Sequence, residues 1–336
     1  MDNTILISVI CGVYNAERTI GKMLSKLISQ KYENIEIILC INGTTDSSEK
    51  IIDGYMDKDT RIKKIFVKEA LGAGGARQRA FEEARGMYIA VIDCDDYVEK
   101  NYLQEMITAV KKYEYPDIVF SGFCRIDNVE KKSYTRIYQS ANEALYQSVA
   151  PWGKIFKADY LKRNRIDFKD VPFGEDILFT AEIILSKPQI VLIENTDYCW
   201  VNNMQSASHT VIRNFPTQNM RISEEYFSRI IRKYYAQEKL LIFLMYKYYI
   251  WYLLHSGRNT GVRRMGKEYN KVIKCMNKYF GSWENKCLLT VNNIHCDRKI
   301  VIKVIKFSLI LRLLRLDRAM FCLYSVLPME KLWPNL

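Results

Sequence analysis

The stretch that decides the fold is Tyr88-Ile89-Ala90-Val91-Ile92-Asp93-Cys94-Asp95-Asp96. An unbroken apolar run of this length, ending in carboxylates, reads as a strand buried on both faces whose carboxyl end opens onto polar chemistry. Like charges packed so closely repel unless a cation sits among them. Asp93, Asp95 and Asp96 therefore point to Mg²⁺ or Mn²⁺, held by one or two carboxylates with waters and phosphate oxygens completing the shell. A nucleoside diphosphate supplies such oxygens. A second reading makes Asp95 or Asp96 the cap of a helix starting near Glu99.

Further strand-like runs lie at Ile5–Ile10, Ile35–Ile41, Ile62–Val67 and Ile118–Ser121. Between them Ile20, Leu24, Leu27 and Ile28 mark one helical face, and Ala76, Ala80 and Ala84 another. Alternating strands and helices predict an α/β unit with a parallel sheet covered on both faces, whose ligands bind beyond the carboxyl ends of the strands. The residues there are Val13-Tyr14-Asn15, Asn42-Gly43-Thr44-Thr45-Asp46 and Gly72-Ala73-Gly74-Gly75-Ala76-Arg77. The glycine run lacks G-x-G-x-x-G spacing, which argues against a dinucleotide fingerprint. Arg77 either pairs with phosphate or is solvated on its helix.

Four pieces in this order, SVICGVYN (Ser8–Asn15), IILCINGTTD (Ile37–Asp46), Gly72–Arg77 and GMYIAVIDCDD (Gly86–Asp96), resemble the nucleotide-sugar half of an inverting GT-A glycosyltransferase of family 2. The resemblance implies a GT-A fold, with Val13, Tyr14 and Asn15 along the nucleoside. It makes Asp93, Cys94 and Asp95 the D-x-D element, Asp93 toward the ribose and Asp95 on the metal, and places Asn42 and Arg77 among the donor-binding residues. The family's VDDGSTD is here Cys40-Ile41-Asn42-Gly43-Thr44-Thr45-Asp46, so Ile41 replaces the carboxylate that accepts a hydrogen bond from the base. Its A-R-N becomes Ala76-Arg77-Gln78.

Downstream, Pro151-Trp152-Gly153-Lys154 and Phe173-Gly174-Glu175-Asp176 resemble the family's acceptor-side pattern. Sugar transfer with inversion needs one carboxylate to take the acceptor hydroxyl's proton. The resemblance assigns that base to Asp176, with Glu175 orienting donor or acceptor groups; the residues alone are equally read as acids complementing a helix N-terminus. Trp152 offers a ring face to a sugar or nucleoside and Lys154 a charge to phosphate, or else they are a core indole and a surface amine. His209 is read as a further metal ligand on a downstream loop, or as a solvated loop histidine.

The charge of the chain is uneven. Residues 1–210 carry 27 Lys+Arg against 30 Asp+Glu, whereas residues 211–336 carry 23 against 8, so nearly neutral and +15 parts share one polypeptide of net charge +12. This predicts a catalytic domain over 1–210 (nucleotide-sugar half 1–125, acceptor half 126–210) and a basic helical region over 211–336, with the boundary near Thr210–Phe215. Leu240–Leu254, with Lys247 as its only charge, is too short to span a bilayer and reads as a buried helix or an interfacial one. From Arg298 to Leu327, Lys299, Lys303 and Lys306 form one stripe and Arg312, Arg315 and Arg318 another, predicting two amphipathic helices lying on an anionic membrane. As a separable anchor, this segment is expected to be removable from a folded body; a solvated basic face packed on the body is the other reading. No nucleic-acid-binding signature is present. Nine scattered cysteines without C-x-x-C spacing read as reduced core thiols, and Met1–Thr4 shows no basic leader.

The combined expectation is a metal-dependent inverting hexosyltransferase. It would use a nucleotide-sugar donor such as a UDP-hexose and a glycan or lipid-linked acceptor in bacterial surface polysaccharide synthesis. It would be cytoplasmic and peripheral on the inner face of the membrane, with oligomeric state left open. The competing expectation is a catalytically decayed, membrane-attached binding or scaffold subunit, motivated by Ile41.

Overall fold

A computed structural model describes residues 5–68, 71–127, 132–202 and 214–326. The chain divides into two compact units, Met1–Asp170 with Ser186–Ser206, and Val171–Leu185 with Ala207–Leu336. The expected boundary near residue 210 is thus joined by two further crossings, on either side of the segment Val171–Leu185, which belongs to the helical unit.

The first unit runs β1 (Ile7–Val13), α1 (Ile20–Ile28), β2 (Ile35–Asn42), α2 (Ser48–Met56), β3 (Ile62–Val67), α3 (Ala73–Glu82), β4 (Tyr88–Val91), β5 (Tyr97–Val98), α4 (Tyr102–Lys112), β6 (Ile118–Phe120), β7 (Phe123–Ile126), β8 (Lys132–Arg136), α5 (Ala141–Gln147), β9 (Lys154–Lys157), α6 (Ala158–Arg163), β10 (Ile190–Leu192) and β11 (Tyr198–Val201). A seven-stranded sheet has the order β10-β6-β9-β4-β1-β2-β3. It is parallel except where β9 inserts antiparallel between β4 and β6. All eight residues of β2 and all four of β4 are buried, as the continuous apolar runs predict for central strands. α1 buries Ile20, Met23, Leu24 and Leu27, the i, i+3, i+4, i+7 set of one helical face. A second sheet, β5-β11-β7-β8, was not foreseen; its strands are only two to five residues long.

Close backbone packing seats the site. A Cβ added at Gly12 of β1 would lie 2.9 Å from the Ala76 Cβ, so glycine lets α3 settle against β1 with Arg77 beside the strand end. At the other end of the strands a Cβ on Gly86 would lie 2.4 Å from the Ser8 amide. There Gly86 N–H donates to Ser8 Oγ (2.7 Å) and Ser8 Oγ donates to Glu36 (2.6 Å). Burial works to raise the Glu36 carboxyl, but Lys63, Ser8 and the Arg85 amide together hold it below its usual range.

The second unit comprises α7 (Glu175–Ser186, whose last residue belongs to the first unit), α8 (Asn219–Lys233), α9 (Glu238–Ser256), α10 (Val262–Phe280), α11 (Glu284–Asn293), α12 (Lys299–Leu313) and α13 (Asp317–Tyr324). Leu240–Leu254 lies within α9, which is buried on nearly every side; the buried reading holds over the interfacial one. α12 and α13 are the two short helices expected beyond Arg298. They are not a separable appendage: Val301, Ile305, Leu309 and Phe321 are core residues, and the Tyr246 and Ser308 hydroxyls are hydrogen-bonded at 3.0 Å. The expectation that this segment can be cut away from a folded body is therefore corrected. Among the described residues no helix is long and apolar enough to cross a membrane.

Lys247, the only charge in the apolar stretch, is buried and donates to the equally buried Asp297 at the entry to α12. Replacing Lys247 with Met strands the Asp297 charge, and a cost of about 3–5 kcal/mol is expected in urea unfolding. Lys247→Met combined with Asp297→Asn, which keeps the acceptor for the Arg298 amide, should recover much of that loss.

Candidate active site

The carboxyl ends of β1, β2 and β4 bring together Tyr14, Asn15, Thr44, Arg77 and the Asp93–Asp96 turn in the first unit. Val13 is buried at the tip of β1, whereas Tyr14 is 57% exposed. Asn15 has a left-handed φ of 46° and knits the β1 loop to the β2 loop: its amide donates to Thr44 Oγ1 (3.0 Å) and its Oδ1 accepts from the Thr45 amide (2.9 Å). Asn42 is buried, and its side chain clamps the Leu71 backbone at both groups (2.6 and 2.7 Å). Ile41 is fully buried, paired with Phe66 of β3.

The three carboxylates do not share one environment. Asp96 turns inward, accepting from Tyr198 Oη (2.7 Å) and the Val201 amide (2.8 Å). Burial, reinforced by the charges of Asp93 and Asp95, pushes its carboxyl well above the usual range. Asp93 remains half-buried and accepts from Arg77 Nη2 at 2.8 Å. Arg77 is 6% exposed, so the solvated reading of this arginine is excluded; the guanidinium fixes Asp93. Asp95 is partly exposed. The neighbouring Cys94 thiol and burial together raise the Cys11 thiol well above its ordinary value.

The donor set decides what metal these residues fit. Among the described residues no cluster of three His, Cys, Asp or Glu side chains is placed to hold an ion. Asp96 is withdrawn, leaving Asp93 and Asp95 as two hard oxygen donors. That set suits Mg²⁺ or Mn²⁺ when phosphate oxygens and waters supply the remaining positions. His209 lies outside the described residues.

The glycine run after β3 is anchored rather than open: the Gly72 amide donates to Asp170 at 2.7 Å, and a Cβ on Gly75 would lie 3.1 Å from the Asp170 side chain. Lys154 is buried, its ammonium donating to Ser148 O (3.0 Å), Ser148 Oγ (3.2 Å) and Ala150 O (2.7 Å). Trp152 stacks on Tyr198, with ring centroids 4.7 Å apart and planes within 7°, and meets Phe123 and Trp200 in the same cluster. Tyr198 thus links an aromatic platform to Asp96. Sequence reasoning missed it, since it lies 102 residues from its partner and carries no motif.

Glu175 and Asp176 open α7 in the helical unit, half-buried in its first turn. The loop before them is held from α8 and α9. Phe173 N–H donates to Asn219 Oδ1 (3.1 Å), Tyr248 Oη donates to Phe173 O (3.1 Å), and Asn219 Nδ2 donates to Tyr248 Oη (3.0 Å). Gly174 has φ 73°, and a Cβ there would lie 2.9 Å from the Tyr248 ring. Asn219 and Tyr248 are likewise positioning residues with no sequence signature.

The family model for glycosyl transferase family 2 matches residues 8–175, half of the chain. The chain belongs to this family. Among its relatives is the glycosyltransferase GlyA of Streptococcus pneumoniae, 27% identical over 213 residues, covering 58% of this chain and 30% of GlyA. Another is WfaP of Escherichia coli, a UDP-Glc:α-D-GlcNAc-diphosphoundecaprenol β-1,3-glucosyltransferase, 44% identical over 92 residues, 27% of this chain and 36% of WfaP. The chain thus spans about a third of the length of these two relatives. Residues 1–349 of S. aureus TarS, crystallised with UDP-GlcNAc, share the GT-A-type fold with a TM-score of 0.63 at 18% identity, over 96% of this chain and 89% of that one. This member of the family therefore has the expected fold, a mostly parallel α/β sheet together with a helical region.

Arg77→Met should cost about 1–3 kcal/mol in urea unfolding, below the figure for a fully buried pair because the Asp93 side chain keeps 28% exposure. Arg77→Lys should recover only part, since an ammonium lacks the planar fork.

Proposed function

We propose that this family 2 glycosyltransferase moves a hexose, with inversion, from a UDP-sugar to a hydroxyl of a glycan or lipid-linked acceptor in bacterial surface polysaccharide synthesis. The observation that carries this reading is the sorting of the Asp93–Asp96 turn, which withdraws Asp96 into the interior and keeps Asp93, fixed by Arg77, and the partly exposed Asp95 beside the strand ends. The undecaprenol-linked substrate of WfaP and the UDP-GlcNAc bound by TarS support the donor and acceptor classes. A lipid-linked acceptor further suggests work at the inner face of the membrane.

In this reading Tyr14 and Asn15 lie along the nucleoside, and Asp93 and Asp95 would hold Mg²⁺ or Mn²⁺. The cation, when bound, supplies positive charge against the leaving diphosphate. The acceptor oxygen attacks C1, the bond from C1 to the diphosphate oxygen breaks, and the hydroxyl proton passes to the Asp176 carboxylate. Glu175 orients donor or acceptor hydroxyls. The integrity of Asp93, Asp95 and Asp176 favours an active enzyme over a decayed scaffold.

Two measurements test this. In calorimetry UDP should bind with Mn²⁺ and much more weakly with EDTA, and Asp95→Ala should remove the difference; equal binding under both conditions overturns the metal assignment. Asp176→Asn should lower kcat by about 10² to 10⁴ with donor affinity nearly unchanged, the usual worth of a positioned base. Near-normal turnover would move the role to another carboxylate.

A further inference from the structure

α12 packs Val301, Ile305, Ser308 and Leu309 into the helical unit. Its opposite face should then be polar, and it is not. Residues 300, 303, 307, 310 and 314 follow the i, i+3, i+7 spacing of one helical face, and they read Ile, Lys, Phe, Ile, Leu, with Phe307 52%, Ile310 48% and Leu314 61% exposed. Leu316 and Leu323 continue the apolar surface onto α13. Between the two helices runs an apolar groove of about 680 Å³, lined by Ile300, Val304, Phe307, Leu316, Met320 and Leu323. Soluble surfaces rarely expose so many contiguous Leu, Ile and Phe side chains without a partner.

The charges identify that partner. Residues 298–326 hold seven Lys and Arg and a single acid, Asp317. Asp317 is buried and committed to Tyr269 and Arg312. On the α10 side of the same helix pair lies a polar cleft of about 740 Å³, lined in part by Lys274, Arg312, Arg315 and Arg318. Arg312 is spent on Glu284 and Tyr269, whereas among the described residues Lys274, Arg315 and Arg318 have no ion-pair partner. A second copy of the chain docked through this face by a two-fold axis would set these cations against themselves. The apolar row extends along all 15 residues of α12, a long and shallow strip rather than a pocket for one anchoring side chain.

We propose that the α12–α13 face is a docking surface for an anionic lipid bilayer, with Phe307, Ile310, Leu314 and Leu316 entering the hydrocarbon boundary and Lys303, Arg315 and Arg318 meeting headgroup phosphates. The proposal deepens the functional reading by naming the surface that brings the enzyme to a lipid-linked acceptor, and rests on it only for that purpose. The helices stay fixed in the core of their unit and only their outward side chains enter the lipid. Cationic attraction is screened by salt, while inserted apolar side chains are not.

The test is vesicle flotation of the full chain. Wild type should float with phosphatidylcholine/phosphatidylglycerol vesicles and not with pure phosphatidylcholine, weakening in high salt without detaching fully. Lys303→Gln/Arg315→Gln/Arg318→Gln should lose about a hundredfold in affinity at low salt, three cations being removed at roughly 1 kcal/mol each. Phe307→Ser/Ile310→Ser/Leu314→Ser should bind at low salt and detach completely in high salt. All three side chains are largely exposed, so the melting temperature should hold; should this variant nevertheless fail to fold, the cation variant decides alone. Wild type that ignores anionic vesicles at low salt overturns the proposal, as does wild-type binding by both variants, or a stable dimer that the serine variant dissociates. Donor hydrolysis and transfer to a soluble acceptor are measured on the same samples. Transfer without flotation defeats the surface alone, and flotation without turnover of any nucleotide sugar defeats the enzymatic reading alone.

Discussion

Three carboxylates within four residues, set at the end of a buried strand, impose a charge problem that the surrounding structure must solve. The solution is separation. Asp96 is carried into the interior, where Tyr198 and the Val201 amide satisfy it; Asp93 is held by a buried arginine, and Asp95 is left partly exposed. Much of the first unit follows from that division. Both partners of Asp96 lie on β11, and β5, which starts one residue after Asp96, pairs antiparallel with the same strand. The attachment of the small sheet to the central one is thus set by where one aspartate is buried. Arg77 reaches Asp93 because Gly12 admits α3 close against β1.

How much of this was legible beforehand depends on the range of the interaction. The central strands were readable because burial on both faces leaves a continuous apolar run, as in β2 and β4, whose residues are all buried. α1 was readable because its buried residues repeat at helical spacing. β9 was not, being four residues long with lysine at both ends, and its place between β4 and β6 comes from pairing with strands far off in sequence. At the site, D-x-D and Glu175–Asp176 were visible as local clusters of charge. The roles of Arg77 and Lys154 were not, because a cation's partner is a matter of three dimensions: one turned to a carboxylate and the other to backbone carbonyls. Tyr198, Asn219 and Tyr248 carry no local pattern and emerge only from geometry.

The helical unit illustrates how composition misleads about separability. A block of +15 charge looks like an attachment, yet its cations sit on helices whose other faces supply the unit's core. α9 is buried almost all round, and its buried Lys247 is matched by an aspartate 50 residues away. Charge and packing are recorded by different residues of the same helices, so neither predicts the other.

The family model ends at residue 175, between the two acids that open α7. The preceding Phe173-Gly174 turn is held by Asn219 and Tyr248, beyond the span that the family shares. In structural terms, the acid-bearing loop is part of the helical unit. An exchange of the helical region at residue 210 would separate this loop from its clamps, whereas one near residue 171 would keep the helical unit whole but take β10 and β11, and with them Tyr198, away from Asp96. A foreign tail joined at residue 210 would have to bring its own support for the Phe173-Gly174 turn that precedes Glu175 and Asp176.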